Sequence, residues 1–564
     1  MSEFEGVFLT RTDIARSAGV QRPAVTNWER RHADFPAPAD RPAQAPTDVE
    51  VFSAADVLAW LDLRTVPANA RRSEEPEGTT YGDRVRATLG GTGPRLLLKA
   101  VDRLLDVEAE RFRGELSPAD YITLLLSLLY VRACLPDAWQ RIREEAKGGF
   151  PHTGALVARL LADVVDGGLG ATHKAPLAAL SRDLRDAPLT DTVRQLDATG
   201  PVDLREHAAA YERLLARYSD LVGKTAGDFF TPRAAVDVIA RFVSEDGHDV
   251  RHVHDPYVRA GELLAASWDA VSESRRQGRG RGRVEASGAG VGEHPLALAG
   301  MNLALHGVSD VALRTGSTAP SNATGPGQEQ NGGYDRVVTN PPFNAKLTGP
   351  TDDSRWRYGP PPRHNANFAW LQYAVTSLKP GGRAAVIMPD IAAFSANPKE
   401  QRIRAAMVED GAVEALIALP PQLFTSTGIS VMVWLLRYPT GGCDEVLFID
   451  AGRLGTPVSR VRQELAPQDS QRVLAEYRRW LADRAEGRSF SGAEGLSEAA
   501  SLDRIRDQGH LLSPALYVPA SRADGPVPGD ITVLAAQAAR LADARTRARD
   551  ADAAVERVLE RYGL

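Results

Sequence analysis

The residues that stand out chemically are Asn340-Pro341-Pro342-Phe343, which close a run beginning at Tyr334-Asp335. Val337 and Val338 just before them mark a short apolar strand. Proline holds φ near about −65° and offers no N–H, and the residue before a proline is pushed out of the helical region. The pattern predicts a rigid corner at the C-terminal end of a strand, where open α/β sheets bind their ligands. Such a corner suits attack by an exocyclic amine. That amine is a poor nucleophile because its lone pair is delocalised into the ring. Two acceptors aimed at its N–H groups favour tetrahedral geometry and localise the lone pair. The candidate acceptors are the side-chain carbonyl of Asn340 and the backbone carbonyl of Pro341, with Phe343 stacked on the base. The base that carries this amine must leave its duplex to reach the site, at a cost of about a few kcal/mol. The plain alternative is a proline-rich turn, and the flanking runs argue against it.

The corner fits the signature Asp/Asn/Ser-Pro-Pro-aromatic, and in it the chain resembles the amino-methyltransferases of DNA. In that family the motif carries catalysis at adenine N6 or cytosine N4. Two further runs narrow the resemblance to the modification subunits of type I restriction-modification systems. Gly227-Asp228-Phe229-Phe230-Thr231-Pro232-Arg233 is similar to the run that opens their catalytic domain and lines the cofactor pocket. It implies Phe230, Thr231 and Pro232 as cofactor contacts. Thr231 is expected to cap a helix with Pro232 at its first position. Leu298-Ala299-Gly300-Met301-Asn302-Leu303-Ala304-Leu305-His306-Gly307 repeats the second run nearly unchanged.

The resemblance implies S-adenosylmethionine as cofactor, held by the loop Asp255-Pro256-Tyr257-Val258-Arg259-Ala260-Gly261-Glu262-Leu263-Leu264. Asp255, Pro256, Gly261 and Leu263 keep the family pattern. Arg259 and Glu262 stand where the family has glycines, whose role is to let the backbone approach the ligand. The family's ribose-binding acid is replaced by Gly290, with Glu293 as candidate substitute. Gly316-Ser317-Thr318 lacks a second acid and leaves Ser317 in the pocket. These departures predict that S-adenosylmethionine binds weakly or with a partner's help. Phe368 is expected either to sandwich the base against Phe343 or to be a core aromatic.

Positioning such a site requires a layered α/β domain. Strands are predicted near 283–287, at 383–388, 413–419 and 431–436, with a helix from Asn365 to Leu378. A helix at 234–243 buries Ala235, Val236, Val238, Ile239 and Phe242. Residues 83–220 read as helical, with Leu124 to Val131 in a buried helix. The arginine–glycine run at 275–283 reads as a solvated insertion, with a phosphate contact as the other reading.

At the start of the chain, a helix is expected from Leu9, with Thr10 or Thr12 as candidate cap, and Ala18-Gly19-Val20 separates it from a second at 22–31. This unit resembles the winged helix-turn-helix of MerR-like proteins. The resemblance implies that Gln21, Arg22, Thr26, Asn27 and Arg30 face a major groove. The other reading is a module that docks on protein. At the far end, Ile531, Leu534, Ala538, Leu541, Ala548, Val555 and Leu559 form one amphipathic helix. The resemblance implies that this helix meets a specificity subunit, with a restriction subunit as a further partner.

The 564 residues exceed a single core and predict three or more domains. Apolar residues make up 43% and charged residues 25%, as in soluble proteins. The net charge of −6 means that affinity for double-stranded DNA must come from local basic faces or a partner. Cys134 and Cys443 lie far apart without metal spacing, so no metal site and no disulfide framework are expected. They fit a reducing compartment. No signal peptide and no apolar run long enough for a membrane are seen, which predicts a cytoplasmic protein.

The expected fold is α/β. A Rossmann-like S-adenosylmethionine-dependent methyltransferase domain (223–440, extended by 441–529) follows a winged helix-turn-helix (1–63), a linker (64–82) and a helical domain (83–222). A long helix (530–564) ends the chain. The expected function is methylation of adenine N6 in DNA, as a modification subunit. The alternative is a DNA-binding regulator or defence protein on a scaffold that no longer transfers methyl groups.

Overall fold

The computed structural model describes residues 8–32, 34–38, 50–67, 70–71, 78–88, 96–106, 116–148, 186–200, 202–226, 231–245, 249–276, 283–308, 311–316, 320, 333–347, 356–424, 429–442, 444–459 and 462–519. The expected helix at 530–564, most of the arginine–glycine run, Phe230 and Ser317 lie outside them.

The chain opens with β1 (Phe8–Thr10), α1 (Arg11–Ala18), α2 (Arg22–Arg31), β2 (Val51–Ser53), α3 (Ala54–Asp62) and α4 (Tyr81–Thr88). Thr10 caps α1 through a reciprocal pair with Asp13, and Gly19 at φ 69° ends it. Pro23 sits in the first turn of α2. The sequence pattern puts the start of a helix at Leu9. Instead Phe8–Thr10 is a strand, because Val51–Ser53 returns to pair with it antiparallel. Ile14, Ala18, Val25, Phe52 and Trp60 share one core with Val85 of α4. Arg84 of α4 also donates to the carbonyl of Ala18 at 3.1 Å. This unit's packing thus runs past residue 82, where the sequence suggested a linker.

Five helices follow: α5 (Leu96–Asp106), α6 (Pro118–Cys134), α7 (Pro136–Gly148), α8 (Asp186–Asp197) and α9 (Leu204–Ala226). Ser117 caps α6, which is buried from Tyr121 to Val131 as expected. Among the described residues no single helix is long and apolar enough to cross a membrane.

The remaining elements build the α/β layers. They are α10 (Arg233–Phe242), β3 (His252–Asp255), α11 (Glu262–Arg276), β4 (Glu285–Gly290), α12 (Glu293–Leu305), β5 (Val311–Thr315), β6 (Tyr334–Thr339), α13 (Asn367–Thr376), β7 (Leu378–Pro389), α14 (Ile391–Phe394), α15 (Pro398–Glu409), β8 (Val413–Ala418), β9 (Val431–Arg437), β10 (Glu445–Asp450), β11 (Thr456–Ser459), β12 (Arg462–Glu464), α16 (Pro467–Ala485), β13 (Ser497–Ser501) and α17 (Leu502–Asp507). Nine strands form one sheet in the order β13-β10-β8-β9-β7-β6-β3-β4-β5. Strands β5, β4, β3, β6 and β7 pair parallel in turn, and β9 runs antiparallel between β7 and β8.

Successive residues of a strand face opposite sides. On β6, Val338 joins the core under α10 and α11, and Val337 joins the core under α13. The helical layer is attached through α12: Tyr211 of α9 donates its hydroxyl to the Leu298 carbonyl at 2.9 Å. From β3 the chain builds outward through β4 to β5, then returns to β6 on the other side of β3. The strand order reverses there, and the carboxyl ends of β3 and β6 open side by side into the crevice where such sheets hold ligands. At the opposite edge, the Asp335 carboxylate accepts the N–H groups of Arg251 and His252 at 3.0 and 2.9 Å and the Lys379 ammonium at 3.3 Å. These bonds fix the amino ends of β3, β6 and β7.

Candidate active site

Asn340 leaves the carboxyl end of β6 directly into this crevice and is 1% exposed. Its Nδ2 donates to the Thr231 hydroxyl at 3.1 Å. With the amide N–H directed there, Oδ1 is the acceptor side of the group. Thr231 does not cap a helix. The cap of α10 is Pro232, at φ −56° and ψ 140°, and no side chain bonds the helix end. The helix starts one residue later than the sequence suggests, and the hydroxyl that was expected to cap it holds Asn340. The backbone N–H of Thr231 donates to Glu262 Oε1 at 3.1 Å.

Pro341 is buried, while Pro342 and Phe343 are half-buried. Asn344, next in the chain, has φ 54°, a left-handed conformation that asparagine tolerates. Its N–H donates to Asn367 Oδ1 at 2.9 Å. Its Oδ1 accepts from Asn367 Nδ2 at 3.0 Å and from Asn365 Nδ2 at 3.2 Å. Leu347 N–H to Arg363 O at 2.9 Å and Ala366 N–H to Ala345 O at 2.8 Å tie the same two stretches. This amide lock was missed in the sequence. Its signal is three asparagines, two of them beside α13.

Phe368 does not face Phe343. It is fully buried in the core beneath α13, edge-on to Trp434 at 6.2 Å between ring centres. Phe343 packs partly against the core on the other side of the sheet. The base sandwich is therefore corrected: Phe368 is a core aromatic, because the first turn of α13 points it inward.

On the β3 side, Asp255 is 3% exposed and accepts the Tyr257 N–H at 2.9 Å. Burial pushes its carboxyl up to about 7, with Glu262 adding to the rise and Tyr257 N–H and Arg259 opposing it. Gly261 turns the chain into α11 at φ 77°, and a Cβ there would lie 3.1 Å from Ala299 Cα. Close approach to the run 298–307 on α12 thus requires glycine. Asn302 Nδ2 adds a bond to the Ala260 carbonyl at 3.0 Å.

Arg259 and Glu262 do not turn outward. Arg259 is 6% exposed, and its Nη2 donates to the Asn340 backbone carbonyl at 3.3 Å. Its guanidinium carbon lies 5.3 Å from the centre of the Tyr257 ring. The glycine in the acidic slot also has a cause. A Cβ on Gly290 would meet the Val258 carbonyl at 2.5 Å and Leu296 Cδ2 at 2.8 Å. Glu293 is exposed in the first turn of α12, past the same sheet edge.

Gln21, Arg22, Thr26, Asn27 and Arg30 are all exposed on α2 and its cap, remote in sequence from this crevice. Arg30 Nη2 donates to Asn27 Oδ1 at 3.1 Å, and Val25 turns the opposite face into the core. A cavity of about 430 Å³ is bounded on one side by Thr231, Pro232 and Glu262 and elsewhere by α9, α10 and α16. Among the described residues no group of three or more His, Cys, Asp or Glu could hold a metal ion. The acidic and hydroxyl groups of Asp255, Glu262 and Thr231 around the Gly261 turn fit a cationic ligand that also takes hydrogen bonds, as a sulfonium nucleoside does.

The profile of a family described as N-6 DNA Methylase matches residues 206–525. The chain is 30% identical over 335 residues to the HindI type I restriction enzyme methylase subunit of Haemophilus influenzae, covering 58% of this chain and 72% of that one. It is 27% identical to the MjaIX methylase subunit of Methanocaldococcus jannaschii, and the match spans 57% of each chain. In fold it is similar to the type I restriction-modification methyltransferase subunit of Streptococcus thermophilus, with a TM-score of 0.55 at 21% identity, covering 83% of this chain and 98% of that one.

The Gly261 turn is testable by stability. An L residue in the left-handed region costs about 1–2 kcal/mol, and the contact with Ala299 adds to it. Gly261→Ala is expected to lower the free energy of urea unfolding by about 2 kcal/mol. An unchanged midpoint and slope would mean that the turn does not pack on α12 as described.

Proposed function

The chain belongs to the N-6 DNA methylase family, and on that premise we propose that the Asn340 corner is where a methyl group reaches the N6 amine of an adenine in DNA. The protein is an enzyme, a DNA adenine-N6 methyltransferase, and S-adenosylmethionine is its cofactor. When bound, the cofactor supplies an electrophilic methyl group on a sulfonium. The protein's part is to make the amine reactive and to hold it still. Asn340 Oδ1 and the Pro341 carbonyl accept the two N–H bonds of the amine. They draw its lone pair out of the ring and stabilise the positive charge that grows on nitrogen. Pro341 and Pro342 keep these acceptors from rotating, and Phe343 gives the extruded base a ring to stack on.

The observation that carries this reading is the bond from Asn340 Nδ2 to Thr231 Oγ1 at 3.1 Å. It commits the amide's donor side to the protein and leaves the carbonyl as the side that meets substrate. Asp255, Gly261, Glu262, Thr231 and Pro232 hold the cofactor on the β3 side, with Phe230, Glu293 and Ser317 as its further proposed contacts. The chain acts on double-stranded DNA in the cytoplasm as the modification subunit of a restriction-modification assembly. Residues 530–564 meet the specificity subunit in this reading, and a restriction subunit joins the same assembly. The N-terminal unit adds a second DNA contact. Its α2 presents Gln21, Arg22, Thr26, Asn27 and Arg30 on one solvent face, while Val25 anchors the other.

Three measurements test this reading. Asn340→Ala removes the side-chain acceptor. Loss of one preorganised polar group in a transition state costs on the order of 3 kcal/mol, so methyl transfer to unmethylated genomic DNA should fall by about a hundredfold. A variant at wild-type turnover would take Asn340 out of the mechanism. Charge reversal of Arg22 and Arg30 should weaken DNA binding and flatten its salt dependence by about one unit of slope per lost phosphate contact. An unchanged slope would make α2 a protein-docking face instead. The third concerns pH. The Asp255 carboxyl is held up at about 7 by burial, so it is neutral below that pH and charged above it. A cationic ligand gains from the charged form. Calorimetric affinity for S-adenosylmethionine should therefore weaken as pH falls through about 7, and Asp255→Asn should flatten that dependence. Equal profiles for the two proteins would separate Asp255 from the cofactor.

A further inference from the structure

Arg259 is a buried cation at the site for which the transfer step itself gives no role. It lies in the turn between β3 and α11, 6% exposed, near the carboxyl group of Asp255. Burying a guanidinium is unfavourable unless its charge and its donors are met. One of those donors, Nη2, reaches the backbone carbonyl of Asn340 at 3.3 Å. That carbonyl belongs to the peptide joining Asn340 to Pro341, so the bond restrains the plane whose two flanking Cα atoms carry the amine acceptors. Three residues along the same turn, Glu262 accepts the Thr231 N–H at 3.1 Å, and the Thr231 hydroxyl accepts Asn340 Nδ2 at 3.1 Å. One turn therefore grips Asn340 twice. Arg259 holds its backbone directly, and Glu262 holds its side chain through Thr231.

We propose that Arg259 is a positioning residue for methyl transfer, which locks the Asn340–Pro341 peptide and joins the cofactor turn and the acceptor corner into one rigid unit. The proposal rests on Asn340 being the amine acceptor. It assigns a use to a side chain whose bulk and charge otherwise read only as an obstacle to a cationic cofactor. The two roles differ in what they do to rate and to affinity. A lock acts on kcat and leaves ligand affinity alone. An obstacle acts on cofactor affinity, and its removal tightens binding.

The test uses the full chain with three substitutions: Arg259→Leu, which keeps bulk and removes the donors, Arg259→Gln, which keeps a donor and removes the charge, and Asn340→Ala. The readouts are kcat and KM for methylation of unmethylated genomic DNA, and calorimetric affinity for S-adenosylhomocysteine. The expected result is a drop in kcat of about tenfold or more in Arg259→Leu, with KM for DNA and product affinity within about threefold of wild type. Arg259→Gln, whose amide nitrogen ends two bonds short of Nη2, should lose rate as well, with product affinity unchanged. A kcat for Arg259→Leu within twofold of wild type would overturn the lock. So would tighter binding without loss of rate. If Arg259→Leu does not fold, Arg259→Gln decides: a loss of kcat at unchanged affinity supports the lock, and wild-type kcat overturns it. The reading of Asn340 is scored separately. Loss of transfer in Asn340→Ala together with an unaffected Arg259→Leu defeats only the lock, whereas transfer in Asn340→Ala at the wild-type rate defeats the reading beneath it.

Discussion

The hydrogen bond between Asn340 and Thr231 joins positions 109 residues apart and depends on nearly everything else in the catalytic layers. It needs β6 to end beside β3, since only that pairing brings the corner to the crevice. It needs Pro232 rather than Thr231 at the cap of α10, or the hydroxyl would be spent on the helix end. It also needs Glu262 on the first turn of α11 to hold Thr231 by its backbone. An amide can present either end to a ligand. A hydroxyl and a carboxylate, placed by two different helices, determine which end this one presents.

The charged groups around the site lie inside the protein. Asp255 is buried with a raised carboxyl, and Arg259 beside it opposes that rise. The crevice is also closed more tightly than the family pattern implies. Val258 donates to the Ala289 carbonyl at 2.7 Å and covers the end of β4, which is why glycine occupies position 290. An acid at that position would have to displace the Val258 carbonyl or Leu296. The departures at 259, 262 and 290 are thus parts of one packing arrangement and not separate losses.

The N-terminal unit is organised differently. Its core is local and aromatic: Phe35 and Trp60 meet edge-on at 4.9 Å, and Trp28 lies 5.8 Å from Trp60 and 5.2 Å from Tyr81. That core leaves one face of α2 free of packing duties. Polar residues there are exposed because Val25 and Trp28 anchor the helix on its other side.

Much of this was legible from residue order, because the signals were local. The Asn-Pro-Pro-Phe corner followed from the restrictions that proline puts on itself and its neighbour. The strands at 383–388, 413–419 and 431–436 followed from apolar runs, and α6 from a buried helical pattern. Gly261 was marked only by the family pattern, and its positive φ came with the structure. What tertiary structure decided was every feature that needed a partner far along the chain. β1 is a strand because Val51–Ser53 pairs with it. Thr231 is a hydrogen-bond acceptor for Asn340 because β6 returns beside β3. Phe368 is core because α13 packs on the sheet through that side, and Gly290 is small because Val258 folds over it. A residue's own conformational limits are written in its type and its neighbours, whereas the use of a side chain's hydrogen-bonding capacity is settled only when the fold brings a competitor or a partner within reach.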